Sequence, residues 1–150
     1  MTGEDTAGGE DGALRDVLAA EHAAVWGYGV VGAALPFEGR APADDGEQAH
    51  RAARDRLAAL LDERGADPVP AEAGYVLPFP VLSPADGAAL AVALEEGVSA
   101  HWVALLAAAE QSTVRQLAVD ALSGAEVRAV AWRAAAGRTP LTAATPGLPA

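Results

Sequence analysis

The chain has 150 residues, of which 51% are hydrophobic, and a net charge of −11 at neutral pH. This length suits one compact domain, and so acidic a chain lacks the basic surface that binds nucleic acid or anionic membranes. The absence of cysteine excludes disulfides, thiolate nucleophiles and sulfur-rich zinc sites. Alanine makes up roughly a quarter of the residues, which favours an all-helical protein. All ten basic residues are arginine, a bias typical of a GC-rich genome such as an actinobacterium's.

The two ends of the sequence have the composition of tails. Residues 1–11 are acidic and glycine-rich and have almost nothing to bury, so we expect a disordered tail that is no signal peptide. Residues 137–150 contain three prolines and predict a Pro-rich C-terminal tail after a domain at 12–136. The longest uncharged run has about 15 residues, fewer than the 20 or so that span a membrane. We therefore expect a soluble, cytoplasmic protein with no membrane or nucleic-acid partner and with a homodimer as one possible state.

Two helices are predicted in the first half of the chain. Residues on one face recur every three or four positions from Gly12 until Pro36 ends the first helix. A second helix begins near Pro42 and stops at Gly65, a natural C-terminal residue. The residues on the common face of the first helix are Leu14, Leu18, Glu21, Val25 and Tyr28. Those on the common face of the second helix are Glu47, His50, Arg54, Leu57 and Leu61.

A long crossover separates these helices from two more. Residues 66–83 hold four prolines, which forbid a helix, yet they are apolar enough to lie extended against the protein. Fully extended, this segment reaches roughly 60 Å, the whole length of a helical bundle. Ser83 and Pro84 begin a third helix with an N-cap, and a fourth follows a break near residues 110–112, with a kink or restart possible at Ser123. The third helix's stripe is Leu90, Leu94, Val98, His101 and Leu105, with Glu95 and Trp102 on its flank.

A glycine fingerprint, Gly27-Tyr28-Gly29-Val30-Val31-Gly32, resembles the dinucleotide-binding motif G-x-G-x-x-G. That motif works between a strand and a helix, whereas the residues before this one have a helical period. We interpret these glycines as points of close helix packing.

Charged side chains on the predicted apolar faces are the candidate site. Glu21 lies on the first helix, Glu47 and His50 form Glu-x-x-His on the second, and Glu95 or Glu96 lies on the third. Buried carboxylates are normally paired or bound to metal, and carboxylate with imidazole suits iron or manganese. The candidate metal ligands are Glu21, Glu47, His50, Glu95 and His101.

The sequence resembles the ferritin-like superfamily and, more narrowly, an alanine-rich actinobacterial family of ferritin-like domains of unknown function. The resemblance covers most of residues 13–133 and rests on AAEHAAVWGYGVVGA, AHRAARDRLAALL, YVLPFPV and LEEGVSAHW. It implies an all-α, ferritin-like four-helix bundle with a long crossover between helices two and three. Di-iron members carry Glu on helices one and three and Glu-x-x-His on helices two and four; Glu21, Glu47, His50 and Glu95 or Glu96 match, but the fourth helix has no histidine.

Two interpretations of these residues stay open. In the first, Glu21, His50 and Arg54 form a buried ion network without metal, and the protein is a non-catalytic or degenerate di-iron scaffold that acts through self-association or a partner. In the second, the carboxylates and His50 bind iron or manganese as the cofactor of an oxidoreductase. The sequence alone therefore leaves it uncertain whether the protein is an enzyme.

Overall fold

The computed structural model describes residues 3–149 and contains four long helices: α1 (Gly3–Ala34), α2 (Ala41–Glu63), α3 (Pro84–Ala108) and α4 (Ser112–Ala135). A short 3-10 helix, Phe37–Gly39, joins α1 to α2, and no strand occurs among the described residues. The predicted all-helical fold with four helices is confirmed.

The directions of the helices follow from two contacts at opposite ends of α1. A Cβ atom placed on Gly87 would lie 3.0 Å from the Ala34 side chain, so α3 begins beside the end of α1. Arg64, just after α2, donates to Asp11 over 2.6 Å, so α2 ends beside the start of α1. Both α2 and α3 therefore run antiparallel to α1 and parallel to each other.

The crossover between α2 and α3 runs along the outside of α1, as its length and composition predict. Arg15 donates to the carbonyl of Asp67 over 2.9 Å, and further along α1 a ring nitrogen of His22 lies 3.0 Å from the carbonyl oxygen of Val69. The rings of Trp26 and Tyr75 then meet with centroids 5.7 Å apart. The segment thus stays extended while its apolar side chains contact the helices.

Local signals in the sequence set most helix ends. The Ser83 hydroxyl accepts a hydrogen bond from the backbone of Asp86 over 3.1 Å, which satisfies one free N–H at the start of α3. Gly65 ends α2 with a positive φ of 69°, a conformation that glycine adopts without strain. The restart considered at Ser123 does not occur: α4 is continuous there, and the hydroxyl donates to the Val119 carbonyl one turn earlier.

The N-terminal boundary differs from the prediction of a disordered tail through residue 11. Met1 and Thr2 lie outside the described residues, but α1 begins at Gly3 rather than at Gly12. Glu10 is buried, and its carboxylate accepts hydrogen bonds from the backbone of Glu110 and Gln111 over 2.5 and 3.3 Å. Arg64 lies 2.9 Å from the same carboxylate. Glu10 is ordered because its carboxylate compensates free N–H groups at the start of α4 and the positive charge of Arg64 at the end of α2.

Closely packed helix pairs form three sides of the bundle, and the side between α2 and α4 is open. α1 packs against α2 and α3, and α3 packs against α4, whereas α2 and α4 make at most sparse contact. Within the described residues, α3 alone has the length and hydropathy of a membrane span, and it carries the buried polar residues Glu95 and Ser99. We therefore interpret α3 as the central core helix.

The glycine fingerprint lies in the middle of α1. A Cβ atom at Gly27 would come within 2.7 Å of the Leu94 side chain, so this glycine allows α3 to approach closely. Gly29 has nothing within 4 Å of the equivalent position. The interpretation as helix packing holds at Gly27, and no strand precedes these glycines.

Candidate functional site

A buried network of charged side chains crosses the interior and joins all four helices. Its centre is His50 on α2, whose Nδ1 lies 2.6 Å from Glu21 of α1 and whose Nε2 lies 3.1 Å from Glu95 of α3. All three side chains are at most 1% exposed. Helical periodicity places each on the inward face of its helix, so the two carboxylates bind the imidazole from opposite sides.

Aromatic donors complete the shell around the two carboxylates. The indole N–H of Trp102 donates to the second oxygen of Glu21 over 2.8 Å. The Tyr28 hydroxyl donates to Glu95 over 2.5 Å and accepts from the indole of Trp132 over 2.8 Å. Buried tyrosine and tryptophan normally find such polar partners, and here they fix the orientation of the acids.

The fourth helix contributes Arg128, which binds Glu95 through two hydrogen bonds. Its Nε donates over 2.8 Å and its Nη2 over 3.2 Å to the two carboxylate oxygens. A bidentate guanidinium–carboxylate pair is strong and geometrically specific. Arg128 reaches the interior from the α2–α4 side and remains partly exposed, at 27%.

The charges in this network balance when His50 is protonated. Burial alone lowers the pKa of His50, but hydrogen bonds and the charges of Glu21 and Glu95 outweigh it and raise the pKa to about 9. Burial also opposes ionisation of Glu95, yet hydrogen bonds and charges from His50 and Arg128 hold its pKa below the ordinary value. At neutral pH His50 is therefore an imidazolium, and it and the Arg128 guanidinium both lie against the ionised carboxylate of Glu95.

Tyr28 stays protonated in this environment. Burial raises the pKa of its hydroxyl, and the charge and hydrogen bond of Glu95 raise it further. The phenol is therefore a hydrogen-bond donor to Glu95 rather than a source of negative charge.

The structure assembles three of the five candidate metal ligands: Glu21, His50 and Glu95. Glu47 lies on the outer side of α2 and pairs with Arg51 one turn later. His101 is exposed on α3 and takes no part in the network. Of the two adjacent glutamates on α3, Glu95 faces the core and Glu96 faces outward.

The arginine predicted for this network is the wrong one. Arg54 was expected beside Glu21 and His50, but it pairs with the exposed Asp55 over 2.7 Å. Arg128 takes that role, and the period of α4 contains the signal: Ala118, Ala121 and Ala125 lead to position 128 at intervals of three and four. Trp132 follows at the next interval.

The residues do not fit a di-iron centre as they are arranged. Both ring nitrogens of His50 bind carboxylates, and Arg128 holds both oxygens of Glu95. No group of three or more acidic or histidine side chains among the described residues has the arrangement to hold a metal ion. The side chains of His50 and Arg128 supply positive charge at the places where metal ions would otherwise supply it.

The fold and the network define a class: an all-helical, four-helix protein with a charge-balanced ion network inside. The sequence matches the family called Domain of unknown function (DUF4439) over residues 13–150, and the chain belongs to that family. It is similar to a solved structure described as a conserved hypothetical protein, rv2844, from Mycobacterium tuberculosis. The two are 38% identical with a TM-score of 0.82, over 85% of this chain and 96% of the other. No curated protein matches the chain.

Proposed function

We propose that this protein is a ferritin-like bundle in which an internal ion network stands where di-iron relatives hold metal. In this proposal it is a non-catalytic scaffold that acts in the cytoplasm through contacts with itself or with a partner. The helix directions support the ferritin-like assignment, because one long crossover between parallel second and third helices is the connection that such folds use.

One observation carries the proposal: His50 bridges Glu21 and Glu95 with both of its ring nitrogens. A protonated imidazole between two carboxylates supplies the positive charge that a bridging metal ion would supply. Arg128 provides a second positive charge on Glu95. The carboxylates are thereby neutralised and hydrogen-bonded, which is what buried acids require.

The alternative is an iron- or manganese-dependent oxidoreductase, and the convergence of Glu21, His50 and Glu95 favours it. Binding a metal ion here requires His50 to lose its proton and turn a nitrogen to the ion. It also requires Arg128 to leave Glu95, because a guanidinium repels a divalent cation at this distance. Arg128 lies on the open α2–α4 side, so its movement is the least restricted step.

Metal loading separates the two functions. The protein, purified without a histidine tag, is given ferrous iron without oxygen and the bound metal is measured, followed by the absorbance change in air. The scaffold proposal expects less than about one tenth of an ion per chain. Stoichiometric binding that is lost in Glu21→Ala and kept in the surface control His101→Ala would establish the alternative.

Contacts with a second copy have a candidate surface at the end where α3 begins. Phe37 and Leu82 expose 81% and 88% of their surface in the connections at this end. Exposed apolar groups of this size are typical of interaction surfaces. Light scattering on the wild type and on a Phe37→Ser, Leu82→Ser variant tests this part: a dimer that becomes a monomer supports self-association.

A further inference from the structure

The C-terminal segment, residues 137–149, folds back across α3 and α4 and forms one wall of a cavity. Arg133 of α4 donates to the Leu141 carbonyl over 2.9 Å. Further along, Gly147 has a φ of 75°, and a Cβ atom there would lie 2.5 Å from the Ser99 carbonyl oxygen and 2.6 Å from the Val103 side chain. The segment is therefore held by close backbone contact with α3, and its position is defined.

The cavity beneath this segment measures about 460 Å³. This volume is within the range of roughly 300 to 1,000 Å³ in which proteins bind small molecules. Glu96, Ala100, Glu126 and Arg133 line it from the helices, and Thr145 and Leu148 line it from the C-terminal segment. The lining combines a charged side with an aliphatic side.

The charged side carries more negative than positive charge. Arg133 is shared between Glu96 and Glu126, at 3.2 and 3.4 Å, while its shorter hydrogen bond goes to the Leu141 carbonyl. The Ser99 hydroxyl adds one donor to Glu126, over 3.2 Å. One guanidinium for two carboxylates leaves a local charge of about −1 and free acceptor capacity for a further cationic donor.

We propose that this cavity binds a small aliphatic amine, with its ammonium group on the carboxylates of Glu96 and Glu126, beside the Arg133 guanidinium, and with its alkyl chain against Ala100 and Leu148. An ammonium provides three donors and the missing positive charge, and the aliphatic wall removes the chain from water. An anion of the same shape is repelled by the two carboxylates and by the chain's net charge of −11. The site is separate from the His50 network and does not depend on its role.

Calorimetric titration with hexylamine, 1-hexanol and hexanoate tests the ligand class, because the three differ chiefly in the charge of one end. Hexylamine is expected to bind with a dissociation constant of about 1 mM or lower, and the alcohol and the acid at least about tenfold more weakly. Nα-acetyl-lysine methylamide, in a parallel titration, shows whether a lysine side chain satisfies the same site as a free amine.

Two variants locate the binding. Glu126→Gln keeps the size of the side chain and removes its charge, and it is expected to weaken hexylamine by about tenfold. Ala100→Phe fills the cavity from the exposed face of α3 and is expected to abolish binding. The matched control is Glu63→Gln, which removes a distant, exposed carboxylate and leaves affinity unchanged.

Circular dichroism confirms that each variant is folded. The proposal is overturned if hexylamine does not bind, if hexanol binds equally well, or if both cavity variants bind hexylamine like the wild type. Because Ala100→Phe acts sterically and Glu126→Gln electrostatically, failure of one variant to fold leaves the other to decide.

Discussion

Raising the pH from about 6 to above 9 is expected to destabilise the protein, because His50 loses a proton that the folded state holds. The pKa of His50 is raised from 6.5 to about 9 by its two carboxylate partners, against the effect of burial. One pKa unit corresponds to about 1.4 kcal/mol, so the protonated His50 contributes about 3 kcal/mol to the free energy of unfolding. The folded state binds this proton more tightly than the unfolded chain does. The contribution is therefore complete below pH 6.5 or so and is lost as the pH rises through about 9.

The composition makes this alkaline range easy to interpret. The chain contains no lysine and no cysteine, and it has three histidines, His22, His50 and His101. Equilibrium unfolding in urea at four pH values measures the loss, and a constant dependence on urea confirms that the same transition is followed. His101→Gln, on the exposed surface, is the control and keeps the full pH dependence.

A free energy of unfolding that stays constant within about 0.5 kcal/mol over this range would refute the reasoning. So would a His50→Gln variant with the same alkaline loss as the wild type. If that variant does not fold, the histidine proton signals of the wild type still report the pKa of His50 directly.

On the acid side, Glu95 has a lowered pKa, so its contribution to the free energy of unfolding is complete above pH 4.5 or so and disappears as the pH falls below that.

The remaining predictions concern packing and are measured by the same unfolding experiment. Gly46→Ala is expected to cost about 1–3 kcal/mol, because its Cβ atom would meet the ring of Tyr28 inside the core. Gly29→Ala, with open space at its Cβ position, is the matched control and is expected to stabilise α1 by about 0.5–1 kcal/mol; the opposite ranking would contradict the packing. Leu105→Ala removes a fully buried side chain and is expected to cost about 2–5 kcal/mol, whereas Val127→Ala, at a residue 72% exposed on α4, stays within about 0.5 kcal/mol. Equal effects of these two changes would show that the core is assigned wrongly.

The helices and the crossover could be predicted because their signals are local. Ser83, Gly65 and the four crossover prolines act on the backbone within a few residues, so no knowledge of distant contacts is needed. Glu21 and His50 were also placed on the inward faces, since they share a face at helical spacing with the buried Leu18 on α1 and Leu57 on α2.

The errors on α2 and α3 are shifts of one residue around the helix. On α2 the inward residue is Gly46 rather than Glu47, and on α3 it is Trp102 rather than His101. A shift of one residue rotates a side chain by about 100°. Gly46 and Glu47 both precede His50 by three or four residues, and His101 and Trp102 both follow Val98 by three or four, so helical spacing alone does not separate the members of either pair. The N-terminal tail was misjudged for another reason, because Glu10 is ordered by partners about 50 and 100 residues away.

The unequal packing of the helices has a consequence for how the protein opens. α2 packs closely only against α1, and α4 only against α3, while His50 is the ion pair that joins α2 to α3. Regions with few contacts unfold locally before the rest of a protein, at a lower free energy than global unfolding. α2 and α4 are therefore the elements whose backbone amides should exchange with solvent before those of α1 and α3. Deprotonation of His50 should accelerate the exchange of α2 but not that of α4, so that a single proton controls the local opening of one helix.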